Sequence, residues 1–208
     1  MDLFHENLDS TQIPTMTKFD LPDADIILFN EFFTKTECNR LYKNLIEKIN
    51  WQQYTIKMFG KILNQPRLTA FYGEENKPYA YSGIKLTPNP WIEDLLFIKS
   101  RITKTAQINF SSVLLNYYRN GQDSMGWHSD DEKELGQNPV IGSISFGETR
   151  LFQLRHLTRK DLKKVDIKLT NGSFLLMKGK TQHYWEHQIP KTSKNITPRI
   201  NLTFRTIV

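Results

Sequence analysis

Beyond residue 106 the chain breaks into seven short β-prone stretches, 112–118, 140–146, 150–155, 165–169, 173–177, 183–188 and 199–206, each bounded by turn residues. Short strands at such close intervals indicate a double-sheeted jelly roll, a double-stranded β-helix, rather than a parallel sheet. Two helices precede it. The first is expected from Thr34, where Thr34-Lys35-Thr36-Glu37 has the form of a capping box. Cys38, Leu41, Tyr42, Leu45, Ile46 and Ile49 then follow at offsets of three and four as one apolar stripe. The second is expected from Asn89 as cap and Pro90 in the first turn, with Ile92, Leu95, Leu96 and Ile102 on its buried side. Between the helices, 55–58 and 61–63 flank Phe59-Gly60 as a hairpin with an aromatic near its tip. The class is mainly β with supporting helices (α+β). Residues 1–22 are polar and aperiodic and are expected to be a loosely ordered arm, with 23–208 forming one domain.

At 208 residues, 38% hydrophobic and 24% charged, the chain suits a single core. No apolar run reaches the ~20 residues that span a bilayer, and the first residues do not follow the pattern of a secretory leader. Cys38 is the only cysteine, which excludes an internal disulfide and a cysteine-rich zinc site and suits a reducing, intracellular compartment. The net charge of +6 conceals an asymmetry: residues 1–25 hold six acids against Lys18 alone, a net of −5, so the remainder carries +11. A basic body favours a polyanionic partner, although charge alone fits simple solubility equally well.

The chemistry starts at His128-Ser129-Asp130. On an extended segment a spacing of two puts an imidazole and a carboxylate on one face, where they can share a metal. With five histidines and 22 acids, roughly half a match to this pattern is expected by chance, so a third ligand is needed. His183 and His187 lie four apart in a stretch rich in aromatics, and on a strand both would face the same way. Two histidines and a carboxylate with open positions suit non-haem Fe(II) oxygen chemistry and also zinc hydrolysis. A site for an organic co-substrate would separate the two.

The last stretch supplies one. Arg199, Asn201, Thr203 and Arg205 alternate strictly with Ile200, Leu202 and Phe204. If the polar face points into the fold, two guanidiniums need anionic partners, and a small dicarboxylate fits their planar forks. The alternative is an edge strand whose polar face is solvated. Asn116 and Tyr118 share a face of an earlier strand and offer an amide and a phenol to the same acid.

Taken together, these stretches resemble the AlkB-type iron/2-oxoglutarate dioxygenases, particularly the duplex-DNA repair branch. The resemblance rests on Asn116-Tyr117-Tyr118-Arg119-Asn120-Gly121, His128-Ser129-Asp130-Asp131-Glu132, Ser143-Ile144-Ser145-Phe146-Gly147, His187 and the segment from Pro198 to Arg205, with Tyr79-Ala80-Tyr81-Ser82-Gly83 upstream. It implies His128, Asp130 and His187 as ligands of Fe(II), with O2 and 2-oxoglutarate as co-substrates. It further implies 2-oxoglutarate contacts at Asn116, Tyr118, Arg199, Asn201 and Arg205, with Arg205 on the distal carboxylate; Thr203 shares their face. His183 matches no family ligand and is read as structural. About 51–85 would form a nucleotide-recognition lid over a jelly-roll core of about 108–208. In the lid Tyr79 and Tyr81 would stack on a flipped base and Phe59 would wedge into the base stack, while from the core Glu132, with Asp131 beside it, would face the base edge. The basic run Arg159, Lys160, Lys163 and Lys164 would meet phosphates.

The implied activity is oxidative dealkylation of N-alkylated bases of the 1-methyladenine or 3-methylcytosine type in DNA, a methyl group leaving as formaldehyde, by a monomer. Competing readings are an oxygenase acting on RNA, protein or a small molecule, and a non-catalytic nucleic-acid-binding β module. A zinc deaminase is rejected because Cys38 stands alone, and a phosphate loop at 142–147 because Glu148 occupies the lysine position.

Overall fold

The computed structural model describes residues 14–58, 60–75, 79–81 and 84–208, with only the backbone of 56–58, 61, 79–81 and 84–86. The chain opens with strands β1 (Thr15–Phe19) and β2 (Asp25–Asn30) and helix α1 (Lys35–Lys48). Strands β3 (Thr55–Met58), β4 (Lys61–Asn64), β5 (Leu68–Gly73), β6 (Tyr79–Tyr81) and β7 (Ile84–Leu86) follow, then helix α2 (Glu93–Ala106). Next come β8 (Ser112–Tyr118), β9 (Met125–His128), β10 (Ile141–Gly147), β11 (Arg150–His156), β12 (Val165–Leu169) and β13 (Phe174–Lys178). A single helical turn, α3 (Thr181–Tyr184), leads into β14 (Trp185–Ile189), and β15 (Arg199–Arg205) ends the fold. No helix among the described residues is long and apolar enough to cross a membrane.

Seven strands form one antiparallel sheet in the order β1-β2-β13-β10-β15-β8-β5, and four form another in the order β12-β11-β14-β9. The large sheet is covered on both faces. On one side its apolar residues pack against α1 and α2: Ile144, Phe146, Ile200, Leu202 and Phe204 join Leu41, Leu45, Leu95 and Ile98. On the other, Ile26, Leu114, Ile141 and Leu175 meet Phe152, Leu154, Ile167 and Ile189 of the small sheet. This is the jelly roll expected from the spacing of the strands. Burial on both faces decides the sense of β15: its apolar row takes the helix side, so its polar row is enclosed between the sheets.

α1 starts as its sequence dictates. Thr34 Oγ1 accepts from the Glu37 amide at 3.3 Å and Glu37 Oε2 accepts from the Thr34 amide at 2.8 Å. The hairpin is present as β3 and β4, with Met58 paired to Lys61 and Gly60 at φ +75°, where a residue without Cβ costs least. Phe59 lies outside the described residues.

Other expectations are corrected. α2 starts three residues late, after Ile92, because Asn89 is used elsewhere: its amide and its side-chain Nδ2 both donate to the Phe71 carbonyl on β5. Pairing to a sheet edge has displaced a helix cap. The buried row of α2 is Leu95, Ile98 and Ile102, which turns Leu96 outward at 46% exposure. Residues 15–19, assigned to the loose arm, form strand β1 in register with β2 from Thr15 opposite Asn30 to Phe19 opposite Ile26. His183 is not on a strand; it sits exposed in α3, and β14 starts only at Trp185.

Candidate metal and co-substrate site

β9 is the edge strand of the small sheet, and its last residue, His128, lies directly opposite His187 on β14. That register brings the two imidazole centroids to 4.3 Å. Asp130 lies two residues past the end of β9 and is turned toward them. Its amide donates to Gln182 Oε1 at 2.9 Å, and its Oδ1 accepts from Arg205 Nη2 at 2.5 Å. One ligand atom from each of His128, Asp130 and His187 lies within 4.8 Å of the others. His128 Nδ1 is 2.9 Å from the Gly126 carbonyl, which can only accept, so Nδ1 carries the proton and Nε2 presents its lone pair. His187 is fixed by stacking on Phe152, 4.8 Å between centroids.

The protonation states suit a cation. Burial opposes ionisation of Asp130, but Arg205 and the two histidines overcome it and hold the carboxyl at about 2. Burial, then the like charge of His128, push His187 down to about 3, and burial also lowers His128. At neutral pH the cluster is one carboxylate and two neutral imidazoles, ready to ligate a divalent metal without shedding protons. Each of these groups binds fewer protons folded than unfolded. The stability they contribute is therefore complete above about pH 6.5 and is lost as pH falls, through the histidines toward about 3 and through Asp130 from 3.8 toward about 2. Urea unfolding of metal-free protein at pH 7, 5.5 and 4.5 should show steadily decreasing midpoints. A flat profile would contradict these states.

The co-substrate candidates line the same cavity: Asn116 and Tyr118 from β8, and Arg199, Asn201, Thr203 and Arg205 from β15. They are not equivalent. Asn201 Nδ2 donates to Ser143 Oγ at 2.8 Å and to the Ile144 carbonyl at 3.0 Å, while its Oδ1 accepts from Thr203 Oγ1 at 3.1 Å. Asn201 thus braces β15 against β10, and Thr203 steadies the Asn201 amide. Arg205, expected to pair with the distal carboxylate, donates from Nη2 to Asp130 Oδ1, so part of its guanidinium is engaged by the metal cluster. Arg199 is different. It is 1% exposed, donates to Ser145 Oγ at 3.0 Å, lies beside Tyr118, and among the described residues leaves Nε and Nη1 buried without a hydrogen-bond acceptor. Burial pushes it down to about 10. A buried guanidinium with two unused donors is costly unless an anion is meant to occupy them. The donor set thus fits both a metal and a small dicarboxylate.

Asp131, Glu132, Arg159, Lys160, Lys163 and Lys164 are not among the described side chains that line this cavity. Asp131 is exposed and Glu132 half-buried just beyond Asp130. In the β11–β12 loop Arg159 pairs with Asp161 at 2.7 Å, Lys160 Nζ donates to the Leu157 carbonyl, and Lys163 and Lys164 are exposed. Tyr79 and Tyr81 are paired with Leu86 and Ile84 in the small β6–β7 hairpin. Two residues had no signal in the sequence. Arg67, buried, donates from Nε to Asn116 Oδ1 at 2.8 Å and from Nη1 to the Ser124 carbonyl, joining the two halves of the site. Gln182 holds the Asp130 amide. Neither sits in a periodic pattern or a spacing that would mark it.

A jelly roll carrying two histidines and one carboxylate beside an unpaired arginine defines the class of mononuclear non-haem metal sites with an anionic co-substrate. The sequence matches the family described as the 2OG-Fe(II) oxygenase superfamily over residues 25–205. It is 42% identical over 184 residues to alpha-ketoglutarate-dependent dioxygenase alkB homolog 3 of Bos taurus, covering 85% of this chain and 64% of that protein. It is 34% identical over 189 residues to DNA oxidative demethylase ALKBH2 of Mus musculus, covering 86% and 79%. The solved structure of OsALKBH1 superposes with a TM-score of 0.63 at 16% identity, over 87% of this chain and 96% of that one, which shows the shared fold. The chain belongs to the 2OG-Fe(II) oxygenase superfamily, in its AlkB-type branch, and spans a little under two thirds of the length of the alkB homolog 3 proteins it matches.

Proposed function

We propose that the chain oxidatively removes alkyl groups from N-alkylated nucleic-acid bases, DNA in particular. The observation that carries the reading is the single cavity in which the His128–Asp130–His187 cluster faces the unpaired Arg199. The names of the relatives, a DNA oxidative demethylase among them, supply the substrate class. His128, Asp130 and His187 would hold Fe(II), which with 2-oxoglutarate and O2 supplies the oxidising chemistry when bound. Arg199 would take the distal carboxylate of 2-oxoglutarate in a charge-assisted pair, fixing the direction in which the acid enters. Arg205 holds the Asp130 carboxylate in place, and Asn201 and Thr203 keep β15 rigid beneath both.

Alkylation at a ring nitrogen makes a base cationic and unable to pair, which lowers the cost of extruding it. The 51–85 region would act as the lid, with Tyr79 and Tyr81 stacking on the cationic ring and Asp131 or Glu132 adding a carboxylate near its edge. Phe59 would fill the vacated place in a duplex. Arg159, Lys160, Lys163 and Lys164 would contact phosphates, and the enzyme would act inside the cell as a monomer.

The test is formaldehyde release from oligonucleotides carrying 1-methyladenine or 3-methylcytosine, single-stranded and duplex, with Fe(II) and 2-oxoglutarate. Phe59→Ala should lower duplex turnover about tenfold and single-strand turnover far less, since a wedge acts only where a stack must be opened. Succinate formation without formaldehyde from any oligonucleotide would leave an oxygenase but sink the nucleic-acid reading.

A further inference from the structure

Arg150, the first residue of β11, is a further buried guanidinium close to the cavity, at 4% exposure. It donates only to main-chain carbonyls: Asn120 at 3.3 Å, Asp123 at 3.0 Å and Pro190 at 2.6 Å. The neighbouring Asp123 carboxylate is engaged twice by Arg119, at 2.7 and 2.9 Å, and the Glu148 carboxylate is held by Thr197 and Thr149. Among the described residues no carboxylate forms an ion pair with Arg150. Its guanidinium carbon stands 5.7 Å from the centre of the Tyr118 ring, and that of Arg199 stands 5.3 Å from the same centre. Two buried cations therefore share one aromatic ring, and among the described residues neither forms an ion pair with a carboxylate.

We propose that Arg150 is a positioning residue of the dicarboxylate site: it fixes the Tyr118 ring beside Arg199 and adds a second positive charge that selects a dianion. The three carbonyl bonds tie the turn after β8 to the chain leaving β14, so the guanidinium cannot swing away from the ring. The ring attracts both cations, which repel one another, and a dianion relieves that repulsion in a way a monoanion only half achieves. Burial depresses both arginines; Tyr118 opposes it at each, and the Asp123 and Glu148 carboxylates, engaged elsewhere, oppose it further at Arg150 without cancelling it.

The inference rests on the co-substrate reading of Arg199 and is tested by binding rather than turnover. Mn(II)-loaded protein is titrated calorimetrically with 2-oxoglutarate and with glutarate, a dianion of the same length without the chelating oxo group. Arg150→Met and Tyr118→Leu should each weaken both acids about tenfold, and the double variant no further, because the two residues act as one unit. Arg150→Gln, which keeps a donor for the carbonyls and drops the charge, should show the same loss with Mn(II) affinity unchanged, which guards against mere misfolding. Wild-type affinity in Arg150→Gln, or multiplied losses in the double variant, overturns the proposal. Failure of the unaltered protein to bind either acid would instead overturn the co-substrate reading.

Discussion

Asp130→Ala is expected to lose metal and turnover together, with the rate falling on the order of 1000-fold or more at limiting iron. Asp130 is the only anion in the cluster, so its removal takes the ligand set from one negative charge to none. The loss is compounded by Arg205, whose side chain, 4% exposed, is paired to Asp130 across 2.5 Å. Without the carboxylate a buried guanidinium faces the vacated metal position and repels the ion. Breaking such a pair costs roughly 3–5 kcal/mol of folding stability. Asp130→Asn separates the two effects, since its amide oxygen still accepts from Arg205 while the negative charge is gone. Metal stoichiometry by atomic absorption and turnover by formaldehyde release check both variants. Stoichiometric iron with full activity in Asp130→Ala would end the assignment of the cluster.

Arg199→Met raises the 2-oxoglutarate concentration needed for half-maximal rate by about 10- to 100-fold, the value of one charge-assisted pair of about 1.5–3 kcal/mol. The rate at saturating 2-oxoglutarate changes little. The same substitution leaves the ligand-free protein as stable or more so, because it replaces a buried cation with two partnerless donors by an apolar chain of similar length. Arg205→Met behaves in the opposite manner: it loosens Asp130, lowers metal occupancy and depresses the maximal rate. Steady-state kinetics with separate iron and 2-oxoglutarate titrations, together with thermal unfolding, resolve the pair. If Arg205→Met raised only the 2-oxoglutarate requirement while Arg199→Met lost iron, the roles drawn from the geometry would be reversed.

The two arginines illustrate where a sequence stops being informative. Their alternation with Ile200, Leu202 and Phe204 is a period-two pattern, visible in one dimension and sufficient to announce a strand with one polar face. Nothing in that pattern says whether the face is solvated or enclosed, nor which guanidinium meets a carboxylate of the protein. Those answers come from β10 and β8 on either side of β15 and from Asp130, 75 residues earlier in the chain. His183 and His187 make the same point. Four residues apart, they fit one face of a strand and one face of a helix equally well, and a single helical turn at Thr181–Tyr184 leaves only His187 facing His128. The cap expected at Asn89 failed because a hydrogen bond to Phe71 competed with it. β1 carries no periodic trace in the sequence because four of its five residues are exposed and it has no buried face.

The order of residues alone determined the locally encoded features: the capped first helix, the strand spacing that demands two sheets, and the His-x-Asp and Arg-x-Asn-x-Thr-x-Arg spacings. Those are set by backbone sterics and by periodicities that act over a few positions. Tertiary packing decided the rest: which polar row is shut between the sheets, which arginine keeps its charge unpaired, and how Arg67, Gln182 and Arg150 come to support the site. Such choices follow from desolvation, which penalises a buried charge according to every group around it, and those neighbours are assembled from segments far apart in the chain.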